Sequence, residues 1–164
     1  MADSRTALEI GKLALESGEV APDFVLKDHE GKDFKLSGLK GKRVLLSFHP
    51  LAWTDICARQ MQSLENNIDI FGTLNTVPLG LSVDSVPSKK AWADHLGIKR
   101  VSLLSDFWPH GGVAGMFGMF NEKGGTSRRA NVVVGEDGKI KITKVYKNSE
   151  LPDIQEIINL IRAL

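Results

Sequence analysis

Apolar and polar positions divide this chain into short runs with two different periods. Val44 to Phe48 is a brief apolar run between polar residues, which suits a buried strand. From Cys57, the apolar residues Met61, Leu64, Ile68 and Phe71 follow at spacings of three and four. That spacing predicts a helix with Cys57 at the start of its inward face. Pro50 cannot continue strand pairing and Thr54 is placed to cap the helix, so the turn lies at Pro50 to Thr54. Upstream, Phe24 to Leu26 and Asp33 to Leu36 flank the turn-rich Asp28-His29-Glu30-Gly31 and read as a small hairpin. Leu79 to Val83 is a second strand, with Pro78 limiting its reach. Ser88 is placed to cap a helix that carries Trp92 and Leu96 and stops at Gly97. Val101 to Leu104 is a third apolar run, read as an edge strand. Arg129 to Val134 and Ile140 to Tyr146 are joined by Gly135-Glu136-Asp137-Gly138, an Asp-Gly hairpin signal. Ile154, Ile157, Ile158 and Ile161 then form one face of a closing helix. Strands alternating with helices imply crossover connections, some parallel pairing and an α/β sandwich with a mixed sheet.

Composition narrows the function classes. A chain of 164 residues suits one domain with a sizeable core. Twenty-one Lys and Arg face 20 Asp and Glu, with no basic stripe and interleaved aromatics, which argues against nucleic acid and anionic membranes as partners. The glycine-rich stretch Gly111 to Phe120 has no phosphate-loop lysine and reads as a tight helix or turn. One cysteine cannot form an internal disulfide, which fits a reducing, cytoplasmic compartment and excludes a paired-cysteine zinc site. His29, His95 and His110 do not stand at metal-ligand spacing from Cys57, so no metal or other cofactor is expected. Residues 1–18 show neither a signal-peptide core nor a membrane span and read as an N-terminal extension, weakly helical or partly ordered. Residues 19–164 then form a single domain.

The candidate chemistry centres on Cys57. Unpaired amides and the positive end of a helix favour thiolate over thiol, and a thiolate is the nucleophile. Thr54, roughly one turn earlier, can bring its hydroxyl to the same small ligand, and Pro50 can cover that pocket without offering a competing donor. The bland alternative is a buried, inert cysteine, a common fate for free thiols.

Pro50-Leu51-Ala52-Trp53-Thr54-Asp55-Ile56-Cys57 resembles the P-x-x-x-T-x-x-C signature of the peroxiredoxins, thiol peroxidases on a thioredoxin-like fold. Ala21-Pro22-Asp23-Phe24, Leu103 to Gly111, Phe120-Asn121-Glu122 and Arg129 to Val134 agree in order. The wording around Cys57, together with Ser105-Asp106-Phe107-Trp108-Pro109-His110-Gly111, is most similar to the AhpE-like one-cysteine branch. The resemblance implies a thiol-dependent peroxidase acting on hydrogen peroxide, organic hydroperoxides or peroxynitrite. In it Cys57 is the peroxidatic nucleophile, and Thr54, the Cys57 amide and Arg129 are donors to the peroxide. It also implies a homodimer, through the loops near the signature and the Phe107-Trp108 segment. With no resolving cysteine, the sulfenic acid needs an external thiol, either small or thioredoxin- or glutaredoxin-like. Arg128 is the rival to Arg129, and because adjacent strand residues point to opposite faces only one of them can face Cys57.

Two positions depart from the family pattern. Gln60 stands where glutamate usually pairs with the arginine, which predicts looser anchoring of Arg129. His49 replaces an aromatic residue before Pro50, either as a core histidine or as a titrating neighbour of Cys57. Two functional rivals remain. One is a thiol-disulfide oxidoreductase that lacks its second cysteine; the other is a non-catalytic binding or switch protein that signals through Cys57 oxidation.

Overall fold

The computed structural model describes residues 14–164. Its order is β1 (Val25–Asp28), β2 (Asp33–Lys35), a 3-10 turn (Leu36–Leu39), β3 (Arg43–Phe48), α1 (Asp55–Asn66), α2 (Ile68–Thr73), β4 (Thr76–Ser82) and α3 (Val86–Leu96). Then come β5 (Ser102–Ser105), α4 (Gly112–Met116), β6 (Phe120–Asn121), β7 (Thr126–Ser127), β8 (Arg129–Val134), β9 (Ile140–Tyr146) and α5 (Ile154–Arg162). Seven strands form one mixed sheet in the order β2-β1-β5-β4-β3-β8-β9. Strands β3, β4 and β5 are parallel, as the alternation with helices implied, and β8 returns antiparallel beside β3.

Strand periodicity divides the core in two. Val44, Leu46 and Phe48 of β3 join Ala130, Val132, Val113 and Phe117 on one face. Leu45 joins Val133, Met61, Leu64, Phe71, Trp92 and Ile157 on the other. Helices α1, α2, α3 and α5 therefore cover the Leu45 face. Gly80 lets α1 settle closely, because a Cβ there would fall 2.3 Å from the Met61 sulfur.

Four local readings are corrected. The single helix expected from Cys57 to Phe71 is two, broken at Asn67, which ends α1 and opens α2. Strand β4 runs through Pro78 back to Thr76; pairing with β5 begins only at Leu79, so Pro78 has a strand partner on the β3 side alone. The cap of α3 is Ser85, whose hydroxyl accepts from the Ser88 amide, and Pro87 occupies the first turn where its missing N–H costs nothing. Strand β5 lies inside the sheet between β4 and β1, because the entry hairpin adds to its outer edge.

The extension expected over residues 1–18 falls mostly outside the described residues. Its described end carries no helix and lies along β9, where the Thr143 hydroxyl donates to the Leu15 carbonyl (2.8 Å) and the Gly18 amide to the Ile140 carbonyl (2.8 Å). Among the described residues no helix is long and apolar enough to cross a membrane.

Candidate active site

Strand β3 ends at Phe48, and the next six residues turn the chain into α1. Thr54 is the N-cap residue, with extended backbone, but its side chain does not cap the helix; the hydroxyl donates to the Leu51 carbonyl instead (2.8 Å). The first helical bond runs from the Ala58 amide to the Thr54 carbonyl (2.9 Å). The amides of Asp55, Ile56 and Cys57 thus have no helical partner, and they point out of the positive end of the helix. Cys57 sits in this first turn, 1% exposed, as the spacing predicted. Pro50 is half-buried between strand and helix, and Trp53 takes a left-handed backbone with φ 67° to close the turn.

Arg129 reaches the sulfur from β8. Its Nη1 lies 3.4 Å from Cys57 Sγ and donates to Gln60 Oε1 at 2.7 Å. Its Nε and Nη2 both donate to the Asn148 carbonyl, at 3.2 and 2.9 Å. The alternation rule selects this arginine: Arg129 shares its face with Asn131 and Val133, toward α1, while Arg128 is half-exposed. The guanidinium donates these four bonds through all three of its nitrogens, and the side chain is only 3% exposed.

Gln60 does not leave the arginine loose. Its Oε1 takes the Arg129 bond while its Nε2 donates to Ser47 Oγ (2.7 Å) and to the Phe48 carbonyl (3.1 Å). A carboxylate could accept from Arg129 but could not donate to Phe48, so the amide suits this pocket. The expectation of looser anchoring overlooked Asn148, 19 residues along the chain from Arg129, whose carbonyl supplies the remaining anchor.

His49 is a core histidine, fully buried, its ring against Trp92 at 5.4 Å. Nδ1 contacts the Ser47 carbonyl and Nε2 contacts Lys89 Nζ, both at 3.4 Å, which assigns the proton to Nδ1. Burial, then the nearby Lys89 charge, holds His49 well below the ordinary histidine range, so it is neutral. Lys89 itself escaped sequence reasoning. It is fully buried, and burial pulls its ammonium down from 10.5 to about 7 despite the opposing pull of Asp84, Cys57 and Asp106. No periodicity signals it, because Lys89 and Lys90 are chemically alike in the sequence and only the packing of α3 separates them.

These two groups make stability depend on pH. A folded-state value below the unfolded one means that the unfolded chain binds more protons, so stability rises with pH across the gap. For Lys89 the rise runs from about 7 to 10.5, and it is lost as pH falls back to about 7. For His49 it lies below 6.5. Urea midpoints should therefore climb between pH of about 7 and about 9, and climb less in Lys89→Met. Equal climbs in the two proteins would exclude a buried, titrating Lys89.

Trp92 and Met119 belong to the core, whereas Trp53, Phe107 and Trp108 are exposed. The Trp53 indole donates to Ser88 Oγ (3.2 Å) and its ring stacks on His95 at 5.5 Å. Asp106 ties the Phe107-Trp108 segment to α4 by accepting the Val113 and Ala114 amides (3.0 and 2.9 Å). Among the described residues no three His, Cys, Asp or Glu side chains gather as a metal-ligand set.

With this geometry in view, comparison with known proteins is specific. The chain is 39% identical over 140 residues to alkyl hydroperoxide reductase E of Mycobacterium tuberculosis, covering 85% of this chain and 91% of that protein. It is 31% identical over 152 residues to peroxiredoxin 2 of Thermoplasma acidophilum, covering 90% and 75% respectively. In three dimensions it is similar to the reduced 2-Cys peroxiredoxin of Plasmodium vivax, with a TM-score of 0.82 at 27% identity over 91% of this chain and 81% of that one. Residues 17–143 match the AhpC/TSA family, so the single-cysteine turn between β3 and α1 is that of a peroxiredoxin, and the chain belongs to that family of thiol-dependent peroxidases.

Proposed function

We propose that this one-cysteine peroxiredoxin reduces hydrogen peroxide, organic hydroperoxides or peroxynitrite through Cys57, and that an external thiol returns the enzyme to its starting state. The observation that carries the reading is the contact of the Arg129 guanidinium with the Cys57 sulfur at a helix start whose amides are free. In the reaction, the Cys57 thiolate attacks the terminal peroxide oxygen in line. An S–O bond forms, the O–O bond breaks with its electron pair on the departing oxygen, and that oxygen leaves as water or alcohol once protonated, or within nitrite when peroxynitrite is the substrate. Arg129 and the Cys57 amide stabilise the charge that develops on the oxygens, and they are already aimed before the reaction begins. Thr54 serves differently from a simple donor. Its hydrogen is committed to the Leu51 carbonyl, so its oxygen accepts from the peroxide O–H and aligns the substrate. Pro50, without an amide hydrogen, covers the pocket. The Cys57 sulfenic acid then condenses with a small thiol, or with a thioredoxin- or glutaredoxin-like protein, to a mixed disulfide and water; a second thiol releases Cys57.

The same reading extends to a homodimer using the exposed Trp53 and Phe107-Trp108 loops, and to a cytoplasmic location, where a supply of reduced thiols sustains turnover. Sedimentation of the reduced protein tests the first.

Rapid mixing of pre-reduced protein with substoichiometric peroxide, followed by tryptophan fluorescence and by mass spectrometry of trapped sulfenic acid, tests the activity. Fast oxidation of one thiol per chain supports the peroxidase. Reaction no faster than a free thiol favours the switch reading, and no reaction at all the buried, inert cysteine, for which the 1% exposure of Cys57 is the pertinent observation. Thr54→Val keeps the shape but removes the oxygen, and it should lower the rate by about a hundredfold or more, the scale of losing an oxyanion contact. A rate within a few-fold of wild type would remove Thr54 from the site.

A further inference from the structure

Among the described residues only two lysine or arginine side chains are buried, Arg129 and Lys89, and the reaction as described uses only the first. Lys89 holds the turn that delivers Cys57 from both ends. At one end its Nζ meets Nε2 of His49, the residue before Pro50. At the other it donates to Ser82 Oγ, which donates to Asp84 Oδ2 (2.6 Å), and the same carboxylate oxygen accepts the Ala52 amide (2.8 Å). His49 continues through the Ser47 carbonyl, while the Ser47 hydroxyl accepts from Gln60, which holds Arg129 against the sulfur. A buried cation with this many aimed partners is costly to keep unless its charge is used.

We propose that Lys89 is a positioning residue for the reaction at Cys57: its ammonium is the second positive charge favouring the thiolate, and its bonds to His49 and Ser82 set the Pro50–Thr54 turn. This deepens the peroxidase reading, on which its catalytic meaning rests, but the coupling itself involves no peroxide. The groups around Lys89 are the neutral His49 after β3, Ser82 and Asp84 at the end of β4, Asp106 after β5, and Cys57 on α1. Arg129 acts on His49 from β8. Charge on Lys89 is present below a pH of about 7 and lost above it, so its help to Cys57 is confined to the lower range.

Two measurements test this. Coupling between two charges is reciprocal, so a thiolate that Lys89 favours must in turn favour the Lys89 ammonium. In lysine-labelled reduced protein, the Lys89 side-chain NMR titration should fall by about half a pH unit or more on going from wild type to Cys57→Ser. An unchanged midpoint overturns the proposal. Next, the slowing of iodoacetamide alkylation of Cys57 by Lys89→Met should be about tenfold larger at a pH of about 6 than at about 9, where the wild-type amine is neutral and only its hold on the turn is lost. A purely structural role would slow both equally, and that result also overturns the proposal. Should Lys89→Met fail to fold, the titration decides alone. Since neither assay contains peroxide, failure of the peroxidase reading and failure of this coupling register separately.

Discussion

Cys57→Ser is expected to abolish peroxide reduction completely, with no residual burst in rapid mixing and no trapped sulfenic acid. The chain has no second thiol that could take over the nucleophilic role. A serine hydroxyl at the same place is a far weaker nucleophile and cannot form a stable S–O product, whatever the surrounding donors do. The substitution is also structurally mild, since Sγ makes a single polar contact, with Arg129. Loss of activity should therefore come with an almost unchanged urea midpoint. Peroxide consumption by Cys57→Ser at a substantial fraction of the wild-type rate would end the one-cysteine mechanism.

Arg129→Ala should be the next most damaging change, slowing Cys57 oxidation by about a hundredfold or more. The guanidinium is proposed both to hold the thiolate and to meet the peroxide, and alanine does neither. It should also destabilise the protein by roughly 1–3 kcal/mol, because Gln60 Oε1 and the Asn148 carbonyl lose a buried partner. Rate and urea midpoint must therefore be measured together. Arg129→Lys is the sharper variant. It keeps the charge, but one ammonium cannot address Sγ, Gln60 and Asn148 at once, so most of the rate loss should persist. Arg128→Ala, on the opposite parity of the strand, should react like wild type. A normal rate for Arg129→Ala would place the cation elsewhere and leave Lys89 as the candidate.

The relation of Gln60 to Arg129 shows how a neutral side chain serves in a site of this kind. Arg129 remains charged without a carboxylate beside it, because a carbonyl, an amide oxygen and the sulfur share its hydrogens. With no carboxylate neutralising it, more of its positive field reaches the Cys57 sulfur. The buried Lys89 adds to the same side of the balance, against the carboxylates of Asp84 and Asp106.

The local parts of this enzyme are legible because they depend on neighbours in the chain. The run Val44–Phe48, the break at Pro50 and the three-and-four spacing from Cys57 specify a strand, a turn and a helix by short-range rules, and so locate the thiol at a helix start. Period-two alternation along Arg129–Val134 likewise separates Arg129 from Arg128. The Asp-Gly hairpin and the terminal isoleucine stripe follow from the same kind of rule. Mistakes arose where a local signal met a tertiary circumstance: Pro78 is tolerated because β5 starts one residue later, and β5 is interior because the entry hairpin pairs with its free edge.

The remainder was decided by the tertiary structure alone. Whether Lys89 or Lys90 is buried depends on how α3 settles on the sheet. Asn148 offers a backbone carbonyl, a group every residue carries, and only the return of the chain beyond β9 brings that one to Arg129. Gln60 accepts toward one side and donates toward the other because β3 and β8 flank it, and no spacing rule encodes that orientation. Sequence periodicity thus placed Cys57 at a helix start and determined which face it occupies, since both follow from backbone geometry within one element. The charges and hydrogen bonds that prepare Cys57 come from residues distant in the chain, and their effect exists only once folding excludes water from the space between them.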